Sequence, residues 1–222
     1  MDREFLSGLE WYVDMKDKAI EDVLALRTPL DAKVARLSYG LYFTSLLSLT
    51  EAVIEKVPDS KEKIHASLDE FGGMEGTQNY EYIKQLRNAI THRGFNVTAS
   101  GLQHGDRVYL LAPQTIFDKW QKKEYKRFSE LVEELMICCE MTVCPAVSGV
   151  LESIGFWEYD LDEAESRALT IESLNTIEHM PDWAKKMTIE LLPTINTSEI
   201  ASKRLAEFRS KLQARDLRSL FH

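Results

Sequence analysis

Residues 80–94, YEYIKQLRNAITHRG, carry three polar side chains whose types could act on a phosphate. Arg87 could bind phosphate oxygens through a planar, permanently charged guanidinium. His92 could exchange a proton near neutral pH, and Asn88 precedes it by four residues, so one helix can present both groups together. These three residues, called the motif residues below, are our candidates for catalysis.

An arginine and an imidazole are the minimum needed to cleave RNA without a metal ion. The imidazole would move a proton while a 2′-hydroxyl attacks the neighbouring phosphate, and the guanidinium would stabilise charge on the phosphate oxygens. One helix supplies one histidine, so a two-fold dimer would be needed to supply both an acid and a base. A plainer interpretation also stands, because Arg and His in a last helical turn stabilise the helix dipole and free carbonyls.

Apolar periodicity predicts the helices that must position the motif residues. The predicted helices cover residues 4–27, 30–57, 77–93 and 117–154. Thr77 is expected to cap the start of the third helix, Gly94 to end it, and Pro145 to kink the fourth. A small hairpin or loop excursion is expected between residues 95 and 112.

The two long helices, 30–57 and 117–154, are expected to pack antiparallel with the third helix against them. Seven residues are expected to be buried: Leu37, Leu41, Leu46, Leu86, Ile90, Leu131 and Leu135. The fold class predicted is therefore all-α, a four-helix bundle over residues 1–157 with a helical C-terminal extension over 158–222. In the extension, Asn196 with Glu199 is expected to cap the last amphipathic helix.

Composition narrows the class of protein. The formal charge of -9 argues against a surface that wraps nucleic acid all round. The longest apolar run, residues 37–49, is shorter than a membrane span, and the first residues lack the pattern of a secretory signal. We therefore expect a cytoplasmic protein with no membrane association.

The sequence offers no pattern for a metal or a cofactor. Cys138, Cys139 and Cys144 fall in one apolar helical stretch, which predicts core thiols. The histidines are scattered without the spacing of a helical zinc site. We expect no metal and no cofactor.

Residues 86–94, LRNAITHRG, on a short helix ahead of a long one, resemble the HEPN superfamily (higher eukaryotes and prokaryotes nucleotide-binding domains). That family is marked by an Arg, a polar residue directly after it and a nearby His, which Arg87, Asn88 and His92 match over roughly residues 1–157. The resemblance implies a homodimeric helical bundle, often a metal-independent ribonuclease of toxin, antiphage or RNA-processing systems. Gly94 replaces the Tyr that some toxins of the family carry, so the resemblance does not extend to control by adenylylation of that Tyr.

Residues 119–127, KWQKKEYKR, form a local positive segment in an acidic chain. Lys119, Lys122 and Lys123, with Lys84 and Arg93 near the motif, are our candidates for RNA binding. Trp120 and Tyr125 could stack on bases. The alternative is a solvated helix start whose two aromatic rings turn toward the core.

The leading hypothesis is a dimeric HEPN-type domain that binds RNA and cleaves it, with Arg87 on the phosphate, His92 as general acid or base and Asn88 as an orienting group. One alternative is a catalytically inactive HEPN-like interaction module. Another is a nucleotide or small-ligand binder that uses a groove between helices. An antitoxin or other regulatory protein is the partner expected besides RNA and a second copy.

Overall fold

The computed structural model describes residues 3–69, 71–158 and 163–221. The ranges predicted above also include residues 1, 2, 70, 159–162 and 222, which lie outside that description. By contacts the chain forms two compact units, one of residues 1–154 with 211–222 and one of residues 155–210. Helices dominate the described residues, which confirms the all-α expectation, and two small sheets accompany them.

The first unit begins with two antiparallel helices, α1 (Arg3–Leu24) and α2 (Ala32–Lys56). Asp31 starts α2, since its carboxylate accepts hydrogen bonds from the Lys33 and Val34 amides at 3.0 Å. The ammonium of Lys56 lies 5.7 Å from the centre of the Phe5 ring, so the end of α2 meets the beginning of α1. The bounds of both helices lie within three residues of the predicted 4–27 and 30–57.

The motif residues lie on α4 (Gly76–His92), which follows the short α3 (Ser60–Ala66). The prediction that Thr77 caps α4 was wrong by two residues: Glu75 takes the cap position, and Asp69 accepts a hydrogen bond from the Gly76 amide at 2.6 Å. A side chain at Gly76 would place its Cβ 2.0 Å from the His65 carbonyl oxygen, so only glycine lets α4 begin against α3. Asp69, in the preceding loop, therefore supplies the capping hydrogen bond that Thr77 was expected to supply.

The C-terminal end of α4 is as predicted. Gly94 has φ +70°, the left-handed conformation that ends a helix. The Phe95 amide returns to the Ala89 carbonyl at 2.9 Å, which closes the last turn. The inward stripe of α4 is also confirmed, since its predicted members are buried: Tyr80, Ile83, Leu86 and Ile90.

Two hairpins follow α4. Strand β1 (Gly101–His104) pairs antiparallel with β2 (Arg107–Leu110), which confirms the hairpin expected in this region. Strand β3 (Thr115–Phe117) pairs with β4 (Glu124–Lys126), and this second hairpin was not predicted. We call residues 115–127 the basic hairpin.

The predicted helical start at residue 117 was wrong, because α5 (Val132–Cys138) begins fifteen residues later. Lysine, glutamine and glutamate between residues 119 and 124 are good helix formers, yet Asp118 folds its side chain onto the Lys122 amide at 2.8 Å and fixes a turn. Gln121 adopts φ +54°, which an α-helix does not allow. Local side-chain hydrogen bonding thus overrides helix propensity here.

From α5 the helical run continues through a π-helical turn (Cys139–Val143) into α6 (Cys144–Ser153). The Cys144 amide donates to the Cys139 carbonyl, five residues back, immediately before Pro145, which has no amide hydrogen to donate. The irregularity expected at Pro145 is therefore a π-turn. The core-thiol prediction is confirmed for Cys139 and Cys144, which are buried, while Cys138 is half-buried.

The antiparallel packing predicted for the two long helices was wrong. Tyr39 of α2 donates to Glu133 at 2.5 Å, and Tyr42 bonds Met136 and Glu140 at 3.2 and 3.1 Å, so partner numbers rise together and the helices run parallel. Helices α1 and α4 run antiparallel to α2, as the Tyr80 hydroxyl near Thr50 and Ile90 near Gly40 show for α4. Up-and-down connection of successive helices leaves the second and fourth parallel.

Burial of the seven expected residues holds with one clear exception. Leu46, Leu86, Ile90 and Leu135 are buried, and Leu41 and Leu131 are half-buried. Leu37, however, is 63% exposed, because it faces outward from α2 beside a surface groove.

The second unit contains α7 (Glu163–Thr176), α8 (Asp182–Leu191) and most of α9 (Thr197–Lys211). Asn196 caps α9 as predicted, since its side-chain oxygen accepts from the Glu199 amide at 3.0 Å. The last described helix, α10 (Arg218–Phe221), belongs to the first unit.

Two helical stretches of the described chain, α2 and Val132–Ser153, have the length and apolar character of a membrane span. In each, 61% of the most apolar window is buried within the fold, as in the core helix of a globular protein. The cytoplasmic location stays a prediction.

Candidate functional site

The motif residues occupy the second half of α4, and their exposure differs from one to the next. The Arg87 side chain is only 15% exposed, Asn88 is half-buried, and His92, the last residue of the helix, is exposed. Arg87 and His92 are five residues apart, which places them roughly 140° apart around an ideal helix. Within the part of the chain that the structure describes, no hydrogen bond joins the three side chains to one another.

Arg87 is held by a carboxylate that the sequence analysis did not identify. Its Nη2 atom lies 3.3 Å from Oε1 of Glu51 on α2. Its Nε atom is buried and has no hydrogen-bond partner among the described residues. A buried donor without an acceptor costs free energy, so this guanidinium retains one unused hydrogen-bond donor.

The pairing with Glu51 spans 36 residues of sequence and depends on how α2 and α4 cross. Glu51 is itself 46% exposed, so the ion pair is only partly shielded from water. A partly exposed pair of this kind contributes little net stability, about 0–1 kcal/mol. The carboxylate is therefore a weak competitor that a phosphate could replace.

Arg93 links α4 to the basic hairpin. Its Nη1 donates to the Phe117 carbonyl at 2.5 Å, and its Nη2 donates to the Gln85 carbonyl of α4 at 2.9 Å. These bonds use guanidinium donors that we had assigned to RNA. In the described structure Arg93 thus fixes the position of the basic hairpin relative to the motif helix.

The other cations assigned to RNA are more available. Lys84 on α4 lies 3.6 Å from Glu81, a loose surface pair. Lys119, Lys122 and Lys123 are exposed on the basic hairpin. The Lys119 ammonium lies 5.2 Å from the Trp120 ring centre, and that of Lys123 lies 5.1 Å from the Tyr125 ring centre.

The aromatic residues of the basic hairpin do not follow the alternative interpretation. Trp120 is 71% exposed rather than turned to the core, and Tyr125 is half-buried. The error has the same source as the helix prediction: an amphipathic helix would have hidden these rings, whereas the tip of a hairpin cannot. An exposed tryptophan among lysines therefore stands on the hairpin that Arg93 joins to the motif helix.

A groove of about 870 Å³ lies between α2 and the C-terminal end of α4. Leu37, Leu41 and Ile90 line it with apolar surface, and Lys33 and Arg36 add positive charge. Val34, 42% exposed, continues the apolar surface of α2 next to the groove. Val34, Leu37 and Leu41, called the apolar stripe below, are large apolar side chains of α2 that the described structure leaves exposed or half-buried.

Comparison with known proteins yields no relative. The chain matches no protein-family model, and neither curated protein sequences nor solved structures give a significant match.

Proposed function

We propose that this chain is a HEPN-type RNA-binding domain that acts as a metal-independent endoribonuclease of a toxin, defence or RNA-processing type. The observation that carries the proposal is the junction made by Arg93, which attaches the hairpin with the densest positive charge to the helix that bears Arg87 and His92. RNA held by exposed lysines at the hairpin would pass close to the motif residues.

The reaction assigns one role to each motif residue. Arg87, whose Nε has no partner in the described structure and whose ion pair with Glu51 is weak, binds the oxygens of the scissile phosphate. His92 takes the proton from the 2′-hydroxyl, whose oxygen forms a bond to phosphorus while the bond from phosphorus to the 5′-oxygen breaks. A second imidazole returns a proton to that 5′-oxygen. The products carry a 2′,3′-cyclic phosphate and a 5′-hydroxyl.

A second copy of the chain would supply the second imidazole. The apolar stripe on α2 borders the groove beside the end of α4, so a copy that packs there brings its own α4 toward the first. Covering Leu37, which is 63% exposed, would also remove its apolar surface from water. We propose this surface as the homodimer interface.

Cleavage in the presence of EDTA tests the proposal. The wild-type chain, shown to be a dimer by light scattering, should cut single-stranded RNA and leave 2′,3′-cyclic phosphate ends. His92→Ala should lower the rate about a hundredfold or more, the scale of lost acid–base catalysis. Arg87→Ala should do likewise, and Arg87→Lys should restore only part, because lysine keeps the charge but loses the bidentate geometry.

His104→Ala is the matched control, since His104 is an exposed histidine on β1, outside the motif helix. It should leave cleavage unchanged. Circular dichroism should show that each variant is folded. If the dimer binds RNA but cuts none, the chain is instead the inactive interaction module, with the antitoxin or regulatory partner as its ligand. If it cuts equally well after both motif substitutions, the catalytic assignment of Arg87 and His92 is wrong.

A further inference from the structure

The tip of the basic hairpin is a closed turn built around Asp118. Its carboxylate accepts from the Lys122 amide at 2.8 Å, its own amide donates to the Lys123 carbonyl at 3.0 Å, and its carbonyl accepts from the Gln121 amide at 3.1 Å. The hydrogen bond from the Lys122 amide lowers the pKa of Asp118, so this carboxylate stays ionised and bound in the turn. The backbone of residues 118–123 is thus fixed by its own hydrogen bonds.

Trp120 stands on this turn with 71% of its surface exposed. Burying an indole would gain about 1.5–3 kcal/mol, so its exposure has no stabilising purpose in the free chain. The Lys119 ammonium lies 5.2 Å from the ring centre and leaves the rest of the ring surface open. The tip therefore offers a flat aromatic surface surrounded by cations.

Charge at the tip favours a polyanion. Residues 118–127 hold Lys119, Lys122, Lys123, Lys126 and Arg127 against Asp118 and Glu124, in a chain whose formal charge is -9. Asp118 is already engaged by the turn. The local excess of cations thus opposes the sign of the whole molecule, which is typical of a binding surface for phosphates.

The tip also has a defined place relative to the motif. The carbonyl of Phe117, the residue before Asp118, accepts a hydrogen bond from Arg93 at 2.5 Å. Arg93 directly follows His92 in the chain. A ligand on Trp120 is therefore held at a set position with respect to α4.

We propose that Trp120 stacks on an unpaired nucleobase of the RNA substrate, while Lys119 and Lys122 bind the adjoining phosphates. This inference rests on the proposed function and specifies its substrate as single-stranded RNA. A base inside a duplex cannot offer its face to a side chain, whereas every unpaired base can. Stacking on one indole selects unpaired RNA without selecting its sequence.

An anionic membrane is the rival ligand for tryptophan among lysines. Stable membrane binding needs a broad apolar face or a second anchoring signal. The tip presents one indole with Phe117, 44% exposed, beside it. The observations favour RNA, and vesicles enter the test as a competing ligand.

The test measures binding and cleavage in the full-length chain. In the His92→Ala background, where bound RNA stays intact, Trp120→Ala should weaken the affinity for a twelve-nucleotide oligouridylate about tenfold, within the usual range for one stacked base. The affinity for a twelve-base-pair RNA duplex should change by less than about twofold. Trp120→Phe should keep most of the single-strand affinity. In the chain with His92 intact, Trp120→Ala should raise KM and leave kcat nearly unchanged.

Trp183→Ala is the matched control, because Trp183 is 70% exposed and lies on α8 of the other unit. It should change neither affinity. Equal losses for single-stranded and duplex RNA, no loss for either, or Trp120-dependent binding to phosphatidylserine vesicles without an effect on oligouridylate would each overturn the stacking role. Cleavage that persists with unchanged KM refutes this inference alone. A wild-type chain that neither cuts nor binds RNA refutes the proposed function itself.

Discussion

Arg215 and Arg87, both in the first unit, each bind a carboxylate, but they differ in how many of their hydrogen-bond donors the fold uses. Arg215 reaches Glu140 of the π-helical turn through Nε at 3.0 Å and Nη2 at 2.5 Å. Glu140 also accepts from the Lys16 ammonium, at 2.9 and 2.8 Å to its two oxygens, and from the Tyr42 hydroxyl at 3.1 Å. We call Lys16, Tyr42, Glu140 and Arg215 the Glu140 cluster.

Arg87, in contrast, has a single carboxylate contact at 3.3 Å, with Glu51, which is nearly half exposed. Its Nε is buried without a partner in the described structure. The Glu140 cluster uses its hydrogen-bonding capacity within the fold, whereas Arg87 leaves part of its capacity unused.

The difference separates charges that hold the fold from charges that can bind a ligand. Lys16 and Glu140 are completely buried, so each depends on the other to offset the loss of water. Arg215 brings the C-terminal residues 211–221 onto α1 and the π-turn, and Lys211 adds a surface pair with Asp14 at 3.0 Å. Arg215, although 30% exposed, already uses its Nε and Nη2 donors on Glu140 and Asp17. Of the motif residues, His92 meets solvent at the end of α4.

The largest effect is expected where the buried charges lose a partner. Glu140→Gln keeps the shape of the side chain but leaves the Lys16 ammonium buried with only Asp17, 3.0 Å away, as a charged partner. We expect a loss of about 3 kcal/mol or more in the free energy of unfolding, measured with urea. Glu21→Gln, at a site 72% exposed on α1, should cost less than about 0.5 kcal/mol.

A double variant distinguishes lost charge pairing from lost packing. Lys16→Met with Glu140→Leu removes both buried charges and keeps apolar volume, so it should be more stable than Glu140→Gln alone. Arg215, 30% exposed, keeps its contact with Asp17 at 2.6 Å and can turn its other donors to water. A cost below about 1 kcal/mol for Glu140→Gln would place the cluster with the weak surface pairs and remove the contrast with Arg87.

Local signals explain which parts of the fold the sequence predicts. Prolines near both ends and an apolar stripe define α2, and Gly94 with its left-handed φ defines the end of α4. The basic hairpin was not predicted, because residues 119–124 have helix-forming side chains and the sequence does not show the Asp118 hydrogen bond that decides the turn. Burial of Leu37 was wrongly predicted, because a position on an apolar stripe is buried only where a neighbouring element covers it.

The candidate site divides in the same way. The motif residues can be found from residue type and spacing on one helix. Glu51 cannot, because its contact with Arg87 depends on the crossing of α2 and α4. The Glu140 cluster likewise joins residues as far apart as Lys16 and Arg215, and no local pattern marks such a pair.

A smaller effect is expected from His65, which is 6% exposed and makes no hydrogen bond to a charged side chain among the described residues. Its ring stacks on Tyr80 at 4.2 Å, and loss of water lowers the pKa of His65 below its usual 6.5. Between 6.5 and the lower folded value the unfolded chain binds more protons, so stability falls as the pH falls through this window. The fall should not exceed about 1.4 kcal/mol per pH unit, the limit for one proton.

His65→Phe keeps a ring against Tyr80 and removes the titration. The free energy of unfolding, measured with urea between pH 7 and pH 5, should therefore fall less steeply for this variant than for the wild type. Parallel curves would mean that His65 contributes no proton linkage, and that burial of an unpaired group has no measurable consequence at this site.

The smallest effect on stability is expected at Glu51, and it tests the contrast most directly. If Glu51 only holds Arg87 until a phosphate arrives, Glu51→Gln should change the free energy of unfolding by less than about 0.5 kcal/mol. The freed guanidinium should then bind single-stranded RNA several-fold more tightly, since a competing carboxylate is gone. Fluorescence anisotropy in the His92→Ala background measures the affinity without cleavage.

Glu55→Gln removes the same charge one turn further along α2, at an exposed position, and controls for the change in net charge. The two variants should differ in RNA affinity, because only Glu51 touches Arg87. A stability loss above about 2 kcal/mol for Glu51→Gln, with RNA affinity equal to that of Glu55→Gln, would give the pair the structural character of the Glu140 cluster. Arg87 would then be a residue that holds α2 to α4, and the catalytic role would lose the arginine with a replaceable partner on which it depends.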